Sequence, residues 1–236
     1  MLLPFSTLDL IALSCFAILL AGYEAMARFG PLARRSLSAA MQMQRRQWIE
    51  RMRVRDQRHF DAILLASLSQ SNAFFASTSV LGIGGLAAIL GSGDRAQVML
   101  EKLPFVARSS PALWEMKILL LMAILVYAFF KFAWAFRLSH YTAIMFGGMP
   151  GGDAEDSEKL AAHAEQTAHL LGLVGEHANS GLRSFYYAFS IIAWFFHPLL
   201  FIAAAAGVVM ILLRREHLSR AAAIVRRANS LGRSDA

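Results

Sequence analysis

Four long apolar runs constrain this chain more than any motif in it. They are Leu8 to Met26, Ile63 to Leu90, Ala112 to Phe136 and Phe185 to Leu213. A helix needs about 20 residues to cross a hydrocarbon core about 30 Å thick, and each run approaches or exceeds that length. Backbone in lipid must satisfy its own hydrogen bonds, so each run is expected to be helical. With 57% hydrophobic and only 17% charged residues, a soluble domain would have to expose or bury an improbable amount of apolar surface. The expected fold is therefore an all-α integral membrane protein with about four transmembrane helices plus amphipathic interfacial and extramembrane helices. No Pro-, Ser- or Gly-rich linker divides it, so residues 1–236 read as a single polytopic membrane domain. The segment 1–26 lacks a basic start and a small-residue cleavage site, so its apolar run is expected to be a retained span rather than a signal peptide.

The formal charge of +7 is concentrated in two arginine blocks. Arg28 to Arg58 contains nine Arg and no Lys, against Glu50 and Asp56, which assigns it to the cytoplasmic side. Its helical part, about 35–60, places Met41, Trp48 and Met52 on one face, the pattern of an interfacial helix. Arg45, Arg46, Arg51 and Arg53 are then expected to meet anionic lipid headgroups. The charge carries no nucleic-acid motif, so nucleic acid is not an expected partner. Four spans put both termini on one side. The Lys and Arg then divide twelve to nine, with nine in 28–58 and three in 137–184 against three in 91–113 and six in 214–236. That bias is small, and Pro198 is expected to kink the fourth span or bend it back.

The segment 147–184 differs from the rest, with a glycine-rich opening followed by Asp153, Glu155, Asp156, Glu158, Glu165 and Glu176. It is expected to form an acidic extramembrane helix over about 157–184. Glu165 and His169 stand four residues apart, but His163 and His177 fall off their face, so no metal site is expected. Cys15 has no second cysteine to pair with. Phosphate loop, Cys-x-x-Cys and Gly-x-Ser-x-Gly are all absent, so neither a cofactor nor an enzyme activity is expected.

The second span is the most informative. Ser67, Gln70, Ser71, Asn72, Ser77 and Thr78, followed by Gly82 and Gly85, place polar and small groups in a helix that must cross lipid. Such residues serve either as a helix-packing seam or as the lining of a hydrated path. On the third span Lys131 and Arg137 bring charge to the membrane, and Lys117 and Lys131 are expected to snorkel to opposite headgroup layers. The leading functional expectation is a homo-oligomeric pore-forming, ion channel or transport-type protein. The alternative is a non-conducting scaffold or accessory subunit that docks membrane proteins or anionic lipid. The expected location is the bacterial inner (plasma) membrane, as a multi-pass protein.

Several stretches carry a family likeness. They are Arg45-Arg46-Gln47-Trp48 with Met52 and Arg55-Asp56, Ser71-Asn72-Ala73-Phe74-Phe75-Ala76-Ser77-Thr78 running to Gly82-Ile83-Gly84-Gly85-Leu86, and Tyr127-Ala128-Phe129-Phe130-Lys131-Phe132 with Trp134 and Arg137. A fourth is Leu182-Arg183-Ser184-Phe185-Tyr186-Tyr187-Ala188-Phe189 with Trp194-Phe195, Pro198 and Arg214-Arg215-Glu216. Together they cover most of the chain, which resembles the bacterial and plant membrane proteins grouped as domain of unknown function 599. The resemblance implies an all-helical membrane fold and no activity.

Overall fold

The computed structural model describes residues 6–53, 55, 57–103, 106, 109–149 and 157–234. Asp56 and the acids Asp153, Glu155 and Asp156 lie outside the described residues, and the Arg53 side chain is likewise not described. Every regular element among the described residues is helical, as expected from lipid-imposed backbone bonding. Ser6 and Asp9 start α1 (Thr7–Arg28) with a reciprocal cap, each side chain accepting the other's backbone N–H. Gly30 then turns at φ +91°, a conformation that costs glycine little, into the short α2 (Pro31–Arg34) and α3 (Leu37–Arg53). The long α4 (His59–Gly91) and short α5 (Asp94–Glu101) follow, then α6 (Pro111–Gly147), capped by the Ser110 hydroxyl. The chain closes with α7 (Ser157–Trp194), α8 (Pro198–Leu213), a π-helical turn (Arg214–Leu218) and α9 (Arg220–Ser234).

Four stretches are long and apolar enough to cross a membrane: Thr7–Arg28, His59–Gly91, Pro111–Gly147 and Pro198–Leu231. The first three contain the first three apolar runs. The fourth run, 185–213, is not one kinked span. Its first part is the end of α7, a helix already running from Ser157, and the chain reverses at residues 195–197. His197 Nδ1 accepts the Leu199 N–H and Pro198 opens α8, where a missing N–H costs nothing. Trp194 stacks on Phe201 at 5.0 Å, and Arg215 donates to the Tyr186 hydroxyl at 3.3 Å, so α7 and α8 are antiparallel neighbours.

The helices share two ends. At one lie Asp9, the Gly91–Gly93 turn, Ser110, Lys117, Trp194 and Pro198. At the other lie α3, α9, the N-terminal half of α7 and the last turns of α6. The core within the apolar bundle joins α1, α6, α7 and α8 through Phe16, Leu121, Tyr187, Ile191, Trp194, Phe201 and Leu212. The second core, at the arginine-rich end, joins Ile49 and Met52 of α3 to Leu160, Ala164, Ala168 and Leu171 of α7 and to Phe146 of α6. The apolar face of α3 is therefore spent on protein, which corrects the expectation that it lies on lipid. α4 packs against α6, and much of its remaining circumference is bare.

Candidate functional site

The polar residues of α4 divide between two faces. Asn72 and Ser79 are buried toward α6, and Gly82 joins them, since a Cβ there would sit 2.8 Å from Leu125 Cδ1. Ser67, Gln70, Ser71, Ser77, Thr78 and Gly85 are exposed on the outer face, beside Phe74 and Leu81. The eight sequence-selected positions thus form no single lining within one chain. The outward hydroxyls are partly self-sufficient: Ser71 donates to the Ser67 carbonyl at 3.1 Å and Thr78 to the Phe74 carbonyl at 2.9 Å. Phe75 stacks on Phe132 and Gly82 meets Leu125, so the antiparallel register sets Gln70 level with Arg137 and places Ser77 and Thr78 deeper. On α6, Lys131 lies over the Tyr127 ring at 5.2 Å, and the Tyr127 hydroxyl is 3.3 Å from Ser180 Oγ. Arg137 donates to Tyr141 at 3.1 Å.

Lys117 does not snorkel. It is 1% exposed, and its ammonium donates to the Trp194 carbonyl at 3.0 Å and to Ser109 Oγ at 3.2 Å, over the Trp194 ring at 5.3 Å. The Trp194 indole N–H donates to Asp9 Oδ1 at 2.8 Å. One tryptophan thus ties a cation on α6 and an anion on α1 to the end of α7, with all three groups buried. A second polar joint stands some 15 residues, about 22 Å, further along α1. There Glu24 accepts from Arg183 at 2.9 and 3.3 Å and from Tyr187 at 3.2 Å, with Arg28 at 3.5 Å. Sequence reading missed both joints, because the bonds that tie one long helix to another in them join residues more than 70 apart in the chain.

Two adjoining cavities open at the arginine-rich end. The larger, about 880 Å³, lies among α3, α7 and α9 and is lined by Arg34, Arg35, Arg46, Arg226, Asn229 and Glu165. The second, about 540 Å³, is bounded by Arg28, Arg45, Arg183, Asn179, Glu176 and Glu216, and both share Ser36, Gln42 and His169. A third, about 160 Å³, shares Arg45, Gly175 and Asn179 with the second and reaches Ser71 and Asn72 of α4. Arg45 does not point outward to headgroups. Its guanidinium lies over Gly175 where a Cβ would sit, as Gln42 does over Gly172, and burial lowers its pKa while leaving it charged at neutral pH. The i, i+3 pair Gln42 and Arg45 on α3 thus lies against the i, i+3 pair Gly172 and Gly175 on α7. Arg46 is exposed and paired with Glu165, and Arg51 is exposed. His163 meets the Met145 carbonyl at 2.7 Å, and among the described residues no three His, Cys, Asp or Glu gather as metal ligands.

These features define an all-helical, membrane-spanning class of protein with a polar cap at one end. The chain belongs to the family described as protein of unknown function, DUF599, whose model matches residues 11–221. No curated protein and no solved structure matches it.

Proposed function

We propose that the chain is a homo-oligomeric, pore-forming or transport-type protein whose copies meet across the outer face of α4. The observation that carries this is a small-residue and hydroxyl face, Ser67 to Gly85, left bare in a single chain although its deeper half sits within lipid. Gln70 and Ser77 make no side-chain bond there, and polar groups facing lipid gain from a partner helix or from water. The cavity at Ser71 and Asn72 adds room for solvent behind that face. Purified protein in liposomes is expected to pass small ions in a flux assay or planar-bilayer recording. Silence across several ions, with insertion and folding verified, overturns the reading.

The orientation belongs to the same proposal. Because α7 returns through the bundle to Trp194, the path comprises five crossings: α1, α4, α6, the second half of α7, and α8. The termini then lie on opposite sides. The basic residues divide eighteen (nine in 28–58, three in 137–184, six in 214–236) against three in 91–113. This is a far stronger positive-inside bias than four spans give, and it assigns α3 and α9 to the cytoplasm of a bacterial inner membrane. A C-terminal reporter active only inside and an N-terminal one active only outside are expected. Both termini on one side would contradict the five-pass path.

One observation favours a second reading, a non-conducting scaffold. Ser71 and Thr78 already bond their own backbone, and the cavity that reaches Ser71 and Asn72 stops short of Thr78, which suits dry packing. Native mass spectrometry separates the two: a ring of identical subunits supports the pore, and a complex with unrelated proteins supports the scaffold.

A further inference from the structure

We propose that Arg45 is the binding site for a small anion, standing at the partition between the second cavity, of about 540 Å³, and the pocket beneath Ser71 and Asn72. The guanidinium carries five N–H donors, and among the described residues none has an acceptor within hydrogen-bond reach. Arg183, half-buried at the same end, is paired with the carboxylate of Glu24. Arg45, also half-buried, instead lies on bare helix backbone with its N–H groups reached through the cavities, and its seat exists only because Gly175 has no side chain. Its donors face the two cavities that it separates. On one side Arg28, Arg183, His169 and His217 line the approach, with Glu176 and Glu216 beside them; Glu216 is held by the Ser38 N–H at 2.9 Å. On the other side Ser71, Asn72 and Asn179 offer neutral polar groups around about 160 Å³. That volume suits an ion the size of nitrate or acetate with a few waters. Asn72 is 5% exposed and makes no side-chain bond, so its amide is free to complete the shell.

The inference rests on the transport reading for its direction of passage, but the binding stands or falls by itself. Thermal stability of the detergent-solubilised full chain is titrated with sodium nitrate, with sodium gluconate holding ionic strength constant. Saturable stabilisation by nitrate alone is expected. It weakens about ten-fold or more in Arg45→Gln, the scale of one charge-assisted hydrogen bond, and is unchanged in the exposed neighbour Arg46→Gln. If Arg45→Gln fails to fold, Gly175→Ala serves, because its Cβ displaces the guanidinium and is expected to weaken nitrate equally. Equal saturation in wild type and variants, or displacement of nitrate by short-chain phosphatidylglycerol at far lower concentration, overturns the proposal. In proteoliposomes, flux that favours cations and ignores Arg45→Gln also overturns it while leaving transport intact. Anion binding without any flux upholds the site and removes the transport reading.

Discussion

Replacing Lys117 by Met tests the buried joint at the Trp194 end. The variant keeps the four-atom stem and removes the ammonium, so packing against Trp194 and Phe195 is largely preserved. It loses a charge-assisted bond to the Trp194 carbonyl at 3.0 Å, worth about 1.5–3 kcal/mol. It also loses the cation–π contact at 5.3 Å, worth about 1–2 kcal/mol when desolvated. Opposing these is the relief of no longer holding an ammonium away from water, a cost of several kcal/mol per ion before pairing. That relief is limited, because Asp9 remains 5% exposed and loses the nearest cation on a neighbouring helix. The net expectation is a destabilisation of about 2–3 kcal/mol, below the roughly 3–5 kcal/mol that breaking a direct buried ion pair costs. Unfolding of the purified protein in mixed micelles titrated with dodecyl sulfate, followed by tryptophan fluorescence, reads the difference. In the double variant with Asp9→Asn the losses are expected to fall short of additive by about 1 kcal/mol, since both groups act through one indole. A Lys117→Met protein within about 0.5 kcal/mol of wild type would refute the joint and restore a snorkelling lysine.

Gly181→Ala places a Cβ 2.7 Å from the Phe132 ring, which is packed into a three-ring cluster with Phe75 and Phe185. Overpacking of about 1–3 kcal/mol outweighs the gain in helix propensity of about 1 kcal/mol, so the same titration is expected to show a loss of about 1–2 kcal/mol. Cysteines at Ser77 or Thr78, in a Cys15→Ser background, are expected to cross-link between copies in membranes, whereas one at the buried Ser79 is not; the opposite pattern on gels contradicts assembly through α4. Asn229 accepts from Gln44 at 2.7 Å and donates to the Ala40 carbonyl at 3.0 Å, so Asn229→Ala is expected to release α9 from α3 at a cost of about 1–3 kcal/mol. Faster amide exchange confined to Arg220–Ser234 and its contacts on α3 is the readout.

The membrane class was legible because hydrocarbon imposes length and composition on any helix that touches it, and three of the four apolar runs lie within single helices. The second half of α7 was not, because it runs among α1, α6 and α8 and has little need to be apolar. Arg183, Ser180, Ser184, Tyr187 and Ser190 face protein there, so a continuous apolar run is missing. The reversal at Pro198 left a signal, a His-Pro pair at a helix start, but the same pair fits a kink. Lys117 and Arg45 were misread for a common reason: sequence shows a long cation, while the surface that receives it, the Trp194 end of α7 for Lys117 and the Gly175 backbone for Arg45, stands on another helix. For Arg45 a trace existed in the matched spacing of Gln42 with Arg45 and Gly172 with Gly175. The α4 stripe was legible as a stripe, and only the tertiary packing told which part of it remains uncovered.

α7 is a single unbroken rod of 38 residues, about 57 Å long. Its first turns are gripped by α3, and its last residue is clamped by Lys117 and Asp9 at the opposite end of the bundle. With contacts at both extremities, the length of this one helix sets the distance between the basic cap and the Trp194 joint, and the Glu24–Arg183 contact stands between them.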